Sequence, residues 1–230
     1  MGRLFDLDSP VMNFLNKLAD LIILNFLTLI CCLPLITVGA SLTALHHVLL
    51  KMVRNEEGYI IKPFFKSFKQ NFRQATIIWL IMLAAFGVLI GDFLIFAYSG
   101  IAFPSWLRIV ILGIVFLVLF AVIHVFPVLS RFDNTVMNTY KNSLFMGILT
   151  FPKTILMVVC QVAPLLIFIF FPQIMPIVLM LGISGPAYIC ALLYNRTFQR
   201  FEPQPEEITA DEDWVVEEVE SENAGGEENE

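Results

Sequence analysis

The chain has 230 residues, of which 58% are hydrophobic and 15% are charged, and its mean hydropathy is +0.79. A soluble domain is roughly 45–50% apolar, so this composition excludes an ordinary soluble domain and predicts an integral membrane protein. The formal net charge of −6 averages two different parts. Residues 202–230 hold thirteen acidic residues and no Lys or Arg, and the remainder is basic. We therefore predict a helical membrane domain over residues 1–201 and a disordered acidic cytoplasmic tail over residues 202–230.

The first apolar stretch follows Ser9 and Pro10, a pair typical of a helix start. A spanning helix needs about 20 mostly apolar residues, which residues 18–38 provide. The chain stays apolar to Leu50, so this run is too long for one crossing, and we expect a break at residues 36–40. A separate helix then begins with Ser41 as its cap and ends at residues 55–58, where Gly58 is the residue just past the helix end.

A basic connector follows and is expected to form an amphipathic helix from Pro63 that lies in the membrane interface. Four phenylalanines share one face and four cations share the opposite face, the pattern of a helix with aromatics in the acyl boundary and cations at the headgroups. The helix continues into a second span, about residues 75–96. The aromatic face is Phe64, Phe65, Phe68 and Phe72, and the basic stripe is Lys62, Lys66, Lys69 and Arg73.

Three more spans are predicted at about residues 106–127, 152–171 and 177–194, which gives a bundle of five transmembrane helices. Within the fourth span, Gln161 and Pro164 indicate an interhelical hydrogen bond and a kink. Two prolines mark a tight turn over residues 171–176. In the fifth span, Gly182 and Gly185 predict a close approach between helices.

The segment between the third and fourth spans, residues 130–150, is the second amphipathic connector. Asn134, Asn138 and Asn142 recur every four residues, and a ladder of amides is suited to binding a polar ligand or docking a partner helix. The alternative is an ordinary solvated helix face. Phe132, Val136, Tyr140 and Leu144 take the opposite face.

Lys and Arg concentrate on the cytoplasmic side of membrane proteins. With five spans, the first connector, the second connector and the C-terminus share one side and hold eleven Lys and Arg residues, whereas the other side holds only Arg3, Lys17 and Arg108. We therefore expect a multi-pass protein of a bacterial plasma membrane, with the N-terminus outside and the C-terminus in the cytoplasm.

Ionisable groups inside a membrane are functional candidates, and the candidates here are Asp20, Asp92 and His124. The alternatives are an interfacial carboxylate for Asp20 and Asp92, and a core or interfacial histidine for His124. His46 and His47 point in different directions on a helix, so they do not form a metal site by themselves. The four cysteines lie in apolar runs without a zinc or redox spacing and are expected to be small buried hydrophobes.

The sequence has no metalloprotease, serine hydrolase or phosphate-binding glycine-rich motif. We therefore expect a protein that is not an enzyme, that takes no cofactor and that binds no nucleic acid. Its predicted surroundings are the lipid bilayer and other membrane proteins.

Several segments resemble the YesL-like family of bacterial integral membrane proteins, whose function is unknown. The resemblance covers roughly residues 1–200 and implies a bacterial membrane protein associated by gene neighbourhood with carbohydrate ABC transporters and two-component sensors. It implies no catalytic residues. The segments that carry it are Thr37–Leu45, Arg54 with Glu57–Tyr59, Phe64–Ala75, Arg131–Ser143 and Leu192–Phe198.

Two functions remain open from the sequence. The first is a non-enzymatic accessory or regulatory protein that engages an ABC permease or a sensor histidine kinase through its two cytoplasmic connectors. The second is a small transporter or channel with a polar path along Asp20, Asp92 and the amide ladder. Since five spans are few for a monomeric transporter, the second function implies a homo-oligomer. The connector residues proposed for contact with a partner or the membrane are Arg54, Glu57, the aromatic face, the basic stripe, Asn134, Asn138 and Asn142.

Overall fold

A computed structural model describes residues 10–56, 59–98, 104–132 and 134–202. Every regular element in these ranges is a helix, so the predicted all-α fold is confirmed for them. The chain divides into two units, Met1–Tyr194 and Asn195–Glu230, and the predicted acidic tail lies outside the described residues from position 203 onwards. The helices are α1 (Pro10–Cys32), α2 (Val38–Arg54), α3 (Ile61–Tyr98), α4 (Ser105–Arg131), α5 (Val136–Leu149), α6 (Phe151–Phe170), α7 (Met175–Leu181) and α8 (Ser184–Phe198), with short 3-10 helices at Leu35–Thr37 and Pro172–Ile174.

Five segments in the described residues are long and apolar enough to cross a membrane. The set differs from the five predicted spans, because it includes α2, and because the predicted fifth span is divided into α7 and α8. These two helices are bent by 54° and make a sixth candidate when they are taken as one span. The five are Val11–Cys32, Leu35–Arg54, Ile61–Ile95, Ile109–Arg131 and Phe151–Phe170.

The break between α1 and α2 comes earlier than residues 36–40. α1 ends at Cys32, before Pro34, because proline has no N–H and disfavours helical geometry in the residue before it. The chain then makes one 3-10 turn, and α2 begins at Val38. The predicted cap at Ser41 is wrong: Ser41 lies inside α2, and its hydroxyl donates to the Thr28 carbonyl of α1 at 3.0 Å.

The end of α2 is closed by Asn55 rather than by Gly58, which lies outside the described residues. Asn55 adopts the left-handed conformation (φ 54°), and its N–H donates to carbonyls of the last turn. Asparagine is the residue other than glycine that tolerates this conformation at a helix end. The chain therefore reverses within six residues and enters α3, so that α2 and α3 pack as an antiparallel pair.

Gly39 allows α2 to approach α3 closely. A Cβ at this position would meet the Ala75 carbonyl and would lie 2.8 Å from Cβ of Trp79. The Trp79 indole N–H donates to the Leu35 carbonyl at 2.8 Å, which fixes the α1–α2 turn beside the middle of α3. The nineteen residues of α3 beyond Trp79 extend about 28 Å further. α2 therefore packs against the first half of α3.

α4 packs against the middle of α3. Ala40, Ala75, Ile78, Val125 and Leu129 form a buried cluster where α2, α3 and α4 meet. Lipid tails are as apolar as these side chains, so in a membrane such a cluster is stabilised by van der Waals packing rather than by removal from water. Beyond the cluster, most described side chains in the second half of α3 and in the first half of α4 are exposed and apolar, as expected for a surface that faces lipid.

α5 folds back against α3 and α4. Thr135 caps α5 by accepting the Asn138 N–H, and Gly147 brings α5 against Phe120 of α4. The Tyr140 hydroxyl donates to the Ile78 carbonyl of α3 at 2.8 Å. Burial raises the pKa of Tyr140 to about 12, so the hydroxyl keeps the proton that this hydrogen bond needs. The second connector is therefore attached to α3, at the start of the predicted second span, by a side chain from its apolar face.

The divided helix α7–α8 is joined by a side chain from α1. Asn25 is fully buried, and its amide N–H donates to the Leu179 carbonyl at 2.8 Å. Its oxygen accepts the N–H groups of Ile183 and Ser184, both at 3.0 Å. Gly182 lies in this break instead of mediating a close helix approach, and Gly185 would add only an ordinary contact. The close approaches are made by Gly39 and Gly147.

The start of α1 lies at the same end of the molecule as the end of α2. The Lys17 ammonium donates to the side-chain oxygen of Asn55 at 3.0 Å, across 38 positions of sequence. The sequence-based topology places Lys17 and the 55–58 connector on opposite sides of a membrane, whereas the structure places Lys17 beside Asn55. The difference arises because α2 returns the chain to the end at which α1 begins.

Candidate functional site

A cavity of about 420 Å³ lies between the end of α2 and the first turns of α3. Lys51 reaches it from α2, and Lys62 and Lys66, which are one helical turn apart, reach it from α3. We call it the basic cavity. Its lining is completed by His47, Tyr59, Pro63, Ser67 and Gln70.

The three cations of the basic cavity have no acidic partner among its lining residues. Between positions 58 and 201 of the sequence, the only acidic residues are Asp92 and Asp133. Glu56, at the end of α2, approaches Arg54 at 3.9 Å. In the part of the chain that the structure describes, neither Lys51, Lys62 nor Lys66 makes an ion pair. Three like charges repel one another in one cavity, and an anion would relieve that repulsion.

His47 is held in the wall of the cavity by a backbone group. Its Nδ1 lies 3.1 Å from the Ser130 carbonyl of α4. A carbonyl oxygen only accepts, so Nδ1 carries the hydrogen of this bond. The neighbouring His46 turns the other way, and its Nδ1 lies 3.2 Å from the Tyr194 hydroxyl. The expectation that the two histidines point apart is confirmed.

The predicted basic stripe and aromatic face are both divided by the tertiary structure. Lys62 and Lys66 line the basic cavity, whereas Lys69 and Arg73 are exposed outside it. Phe64 is fully buried, Phe68 is half-buried, and Phe65 and Phe72 are exposed. The prediction that all four rings enter the acyl boundary is therefore wrong for Phe64, which packs inside the protein and contacts Phe65 edge-on with ring centroids 5.6 Å apart.

A second polar surface forms where α5 lies beside α3. The Gln74 side chain donates to the Asn134 carbonyl, and the Tyr140 hydrogen bond lies one turn further along α3. Exposed cations and amides lie on both of the helices that these two bonds join, and Lys141 also borders an apolar cavity with Ile81 and Leu117. We call this set of exposed residues the docking face. It consists of Lys69, Arg73, Asn138, Lys141 and Asn142, all of which are exposed.

The three asparagines of the amide ladder do not form one continuous surface of side chains. Asn134 lies before α5 and contributes its backbone carbonyl to the Gln74 bond. The backbone N–H of Asn138 takes part in the Thr135 cap. The Asn138 and Asn142 side chains are exposed, as both the docking and the solvated interpretations require. Glu57, a further predicted contact residue, lies outside the described residues.

The predicted intramembrane polar residues lie apart. Asp20 is half-buried, one turn from the Lys17–Asn55 contact, whereas Asp92 lies about 20 Å beyond Trp79 along α3. His124 is buried in α4, with Nε2 3.3 Å from the Thr154 hydroxyl and 3.4 Å from that of Thr150. The Thr154 hydroxyl also donates to the Gly147 carbonyl. His124 thus joins α4 to the start of α6, and the structure does not bring it together with Asp20 and Asp92.

Sequence reasoning did not predict the cavity, the contact between His46 and Tyr194, or the role of Asn25. The cavity combines Lys51 of α2 with half of the basic stripe of α3, and only the antiparallel packing of these helices reveals it. The sequence did contain a sign of the role of Asn25, because it is a single amide within an apolar run. An unpaired polar group is costly there, so its side chain is expected to form hydrogen bonds. The interhelical bond predicted for Gln161 is confirmed, since its amide approaches Cys190 Sγ of α8 at 3.8 Å.

Residues 21–93 match a family model described as a protein of unknown function, DUF624. The matched segment includes the second half of α1, all of α2 and most of α3, and therefore every lining residue of the basic cavity. It is compatible with the YesL-like resemblance and names no activity. No curated protein and no solved structure shows detectable similarity to the chain.

Proposed function

We propose that this chain is a non-enzymatic accessory or regulatory membrane protein that engages another membrane protein through the docking face. The observation that carries this proposal is the attachment of α5 to α3 by Tyr140 and Gln74. That attachment joins two helices that carry the exposed cations Lys69, Arg73 and Lys141 and whose only acidic residue is Asp92. Such a surface is complementary to an acidic region of a partner.

The partner class follows from the YesL-like resemblance, which points to a carbohydrate ABC permease or a sensor histidine kinase. Both classes have segments at the cytoplasmic surface. The docking face belongs on the cytoplasmic side of the membrane, because Lys and Arg concentrate in the cytoplasmic segments of membrane proteins. The chain then acts by binding and biasing its partner, without chemistry of its own.

This proposal changes the topology expected from the sequence. The Lys17–Asn55 contact supports an N-terminus on the same side as the basic connectors, that is, in the cytoplasm. With the C-terminus on that side as the sequence predicts, Arg108 is the only Lys or Arg left on the outer side. This arrangement puts thirteen Lys and Arg residues on the cytoplasmic side and one on the outer side, a stronger asymmetry than the eleven and three of the five-span arrangement. The proposed location is a bacterial plasma membrane.

The test is affinity purification of the tagged protein from gently solubilised native membranes, followed by mass spectrometry. We expect a stoichiometric permease or sensor kinase with the wild-type chain, and at least a tenfold loss with Lys69→Gln/Arg73→Gln/Lys141→Gln. The matched control, Lys51→Gln/Lys62→Gln/Lys66→Gln, removes the same charge from the basic cavity and should retain the partner. A homo-oligomer with no partner, or equal losses in both variants, contradicts the proposal.

A further inference from the structure

We propose that the basic cavity binds a phosphate-bearing anion, either the headgroup of an anionic phospholipid or a soluble phosphate ester. This site is separate from the docking face and does not depend on the proposed function. The cavity lies between two helices, and its cations come from both of them: Lys51 from α2, and Lys62 and Lys66 from α3. A single solvated helix face would place its cations on one helix only.

The charge of the cavity indicates an anion as the ligand. The cations lie in a concave space and have no ion-pair partner among the described residues. The helix dipole accounts for Lys51, because this residue lies near the C-terminus of α2, where a cation is favoured. The same effect gives no reason for Lys62 and Lys66, which lie in the first turns of α3, where a cation is disfavoured. The position of these two lysines is explained by a negative ligand.

The remaining lining residues favour phosphate over a simpler anion. Tyr59 and Gln70 offer hydrogen-bond donors of neutral side chains beside the ammonium groups, and the His47 ring is fixed by Ser130. A phosphate group has several acceptor oxygens that can use such donors at once, and Lys is a common phosphate binder. A cavity of about 420 Å³ falls in the size range of small-molecule sites, so it holds a phosphate group with an attached glycerol or sugar.

Both a phospholipid headgroup and a soluble phosphate ester can reach the basic cavity. Basic pockets between helices on the cytoplasmic side of a membrane are suited to lipid headgroups. Phe65 and Phe72, which are exposed on α3 close to the cavity in sequence, provide apolar surface that acyl chains would cover. Tyr59 is 80% exposed, so the cavity is also open to a soluble ligand. The experiment therefore separates the two sources.

The purified full-length chain is placed in nanodiscs of phosphatidylcholine with or without phosphatidylglycerol, and separately in neutral detergent with glycerol 3-phosphate or inorganic phosphate. Thermal stability and ligand retention by native mass spectrometry are measured. Saturable stabilisation by phosphatidylglycerol alone assigns the lipid headgroup, and saturable stabilisation by a soluble phosphate assigns the free ester. In either case, Lys51→Gln/Lys62→Gln/Lys66→Gln should weaken binding at least tenfold, whereas Lys69→Gln/Arg73→Gln/Lys141→Gln should change it less than threefold.

Equal weakening by the two triple variants shows attraction by overall charge only and overturns the proposal, as does the absence of any saturable effect in both arms. If the cavity variant does not fold, Lys51→Arg/Lys62→Arg/Lys66→Arg keeps the charge and should retain binding, with the single Lys62→Gln giving the loss. Partner co-purification depends on the docking face, so failure of this site leaves that result unchanged.

Discussion

The side-chain oxygen of Asn25 accepts the backbone N–H of Ser184 at 3.0 Å, across 159 positions of sequence. Ser184 returns the interaction, since its hydroxyl donates to the Leu21 carbonyl at 2.8 Å. The first turn of α8 is thus capped by α1, which supplies what a local capping residue would otherwise provide. Where no water is available, a divided helix needs such partners for its free N–H and C=O groups.

Replacing Asn25 by Leu should destabilise the fold strongly. The change keeps the branched shape of the side chain but removes three hydrogen bonds and leaves buried backbone groups of α7 and α8 without these partners. Hydrogen bonds between membrane helices are worth about 0.6–2 kcal/mol each, so we expect a loss of about 2–5 kcal/mol in the free energy of unfolding. It is measured by denaturation in mixed micelles. Asn142→Leu, at an exposed position, is the control and should change stability by less than about 0.5 kcal/mol.

Replacing Gly39 by Ala should separate α2 from α3. The added methyl group would lie against the Ala75 carbonyl and 2.8 Å from Cβ of Trp79, and neither backbone can yield easily. Overpacking of this kind costs about 1–3 kcal/mol. The control is Gly87→Ala in α3, where nothing lies within 4 Å of the new Cβ. Alanine favours a helix over glycine, so Gly87→Ala should be neutral or stabilising, and an equal loss for both variants would exclude a close contact at Gly39.

Tyr140→Phe should weaken the attachment of α5 to α3 by about 1 kcal/mol, because it removes one hydrogen bond and little volume. The effect should depend on pH with a definite sign. Burial raises the pKa of Tyr140 from an ordinary value of about 10 to about 12. The resulting stabilisation is fully present below pH 10 and is lost as the pH rises through about 12.

The measurement is the difference in unfolding free energy between wild type and Tyr140→Phe from about pH 8 to about pH 12. Taking the difference removes the titration of other groups. We expect the wild-type advantage to shrink above about pH 10. A constant difference over this range would show that the hydroxyl makes no pH-dependent contribution.

The topology can be tested with two single cysteines in a chain whose four native cysteines are replaced. Asn16→Cys and Asn55→Cys both lie at exposed positions near the Lys17–Asn55 contact. A membrane-impermeant maleimide should label both from the same side, in inside-out but not in right-side-out vesicles. Labelling of Asn16→Cys in right-side-out vesicles would support an external N-terminus and contradict the Lys17–Asn55 contact.

The helices themselves could be predicted from the sequence because their signals are local. Apolar runs of about 20 residues, the start at Pro10 and the turn at residues 171–176 depend on neighbours within one or two helical turns. The division of α7 from α8 was missed for the opposite reason. Local hydropathy favours one continuous span there, and the break is stabilised by Asn25, which lies more than 150 positions earlier.

Composition and periodicity alone determined that this chain is an all-helical protein of long apolar segments with a basic body and an acidic end, because those properties are sums over residues or patterns within one helix. The tertiary structure decided which faces meet. It brought Lys51 to Lys62 and Lys66, buried Phe64 and left Phe65 exposed, and returned α2 to Lys17. These outcomes depend on how α2 turns back at Asn55 and how closely Gly39 lets it approach α3, and packing between distant segments fixes both.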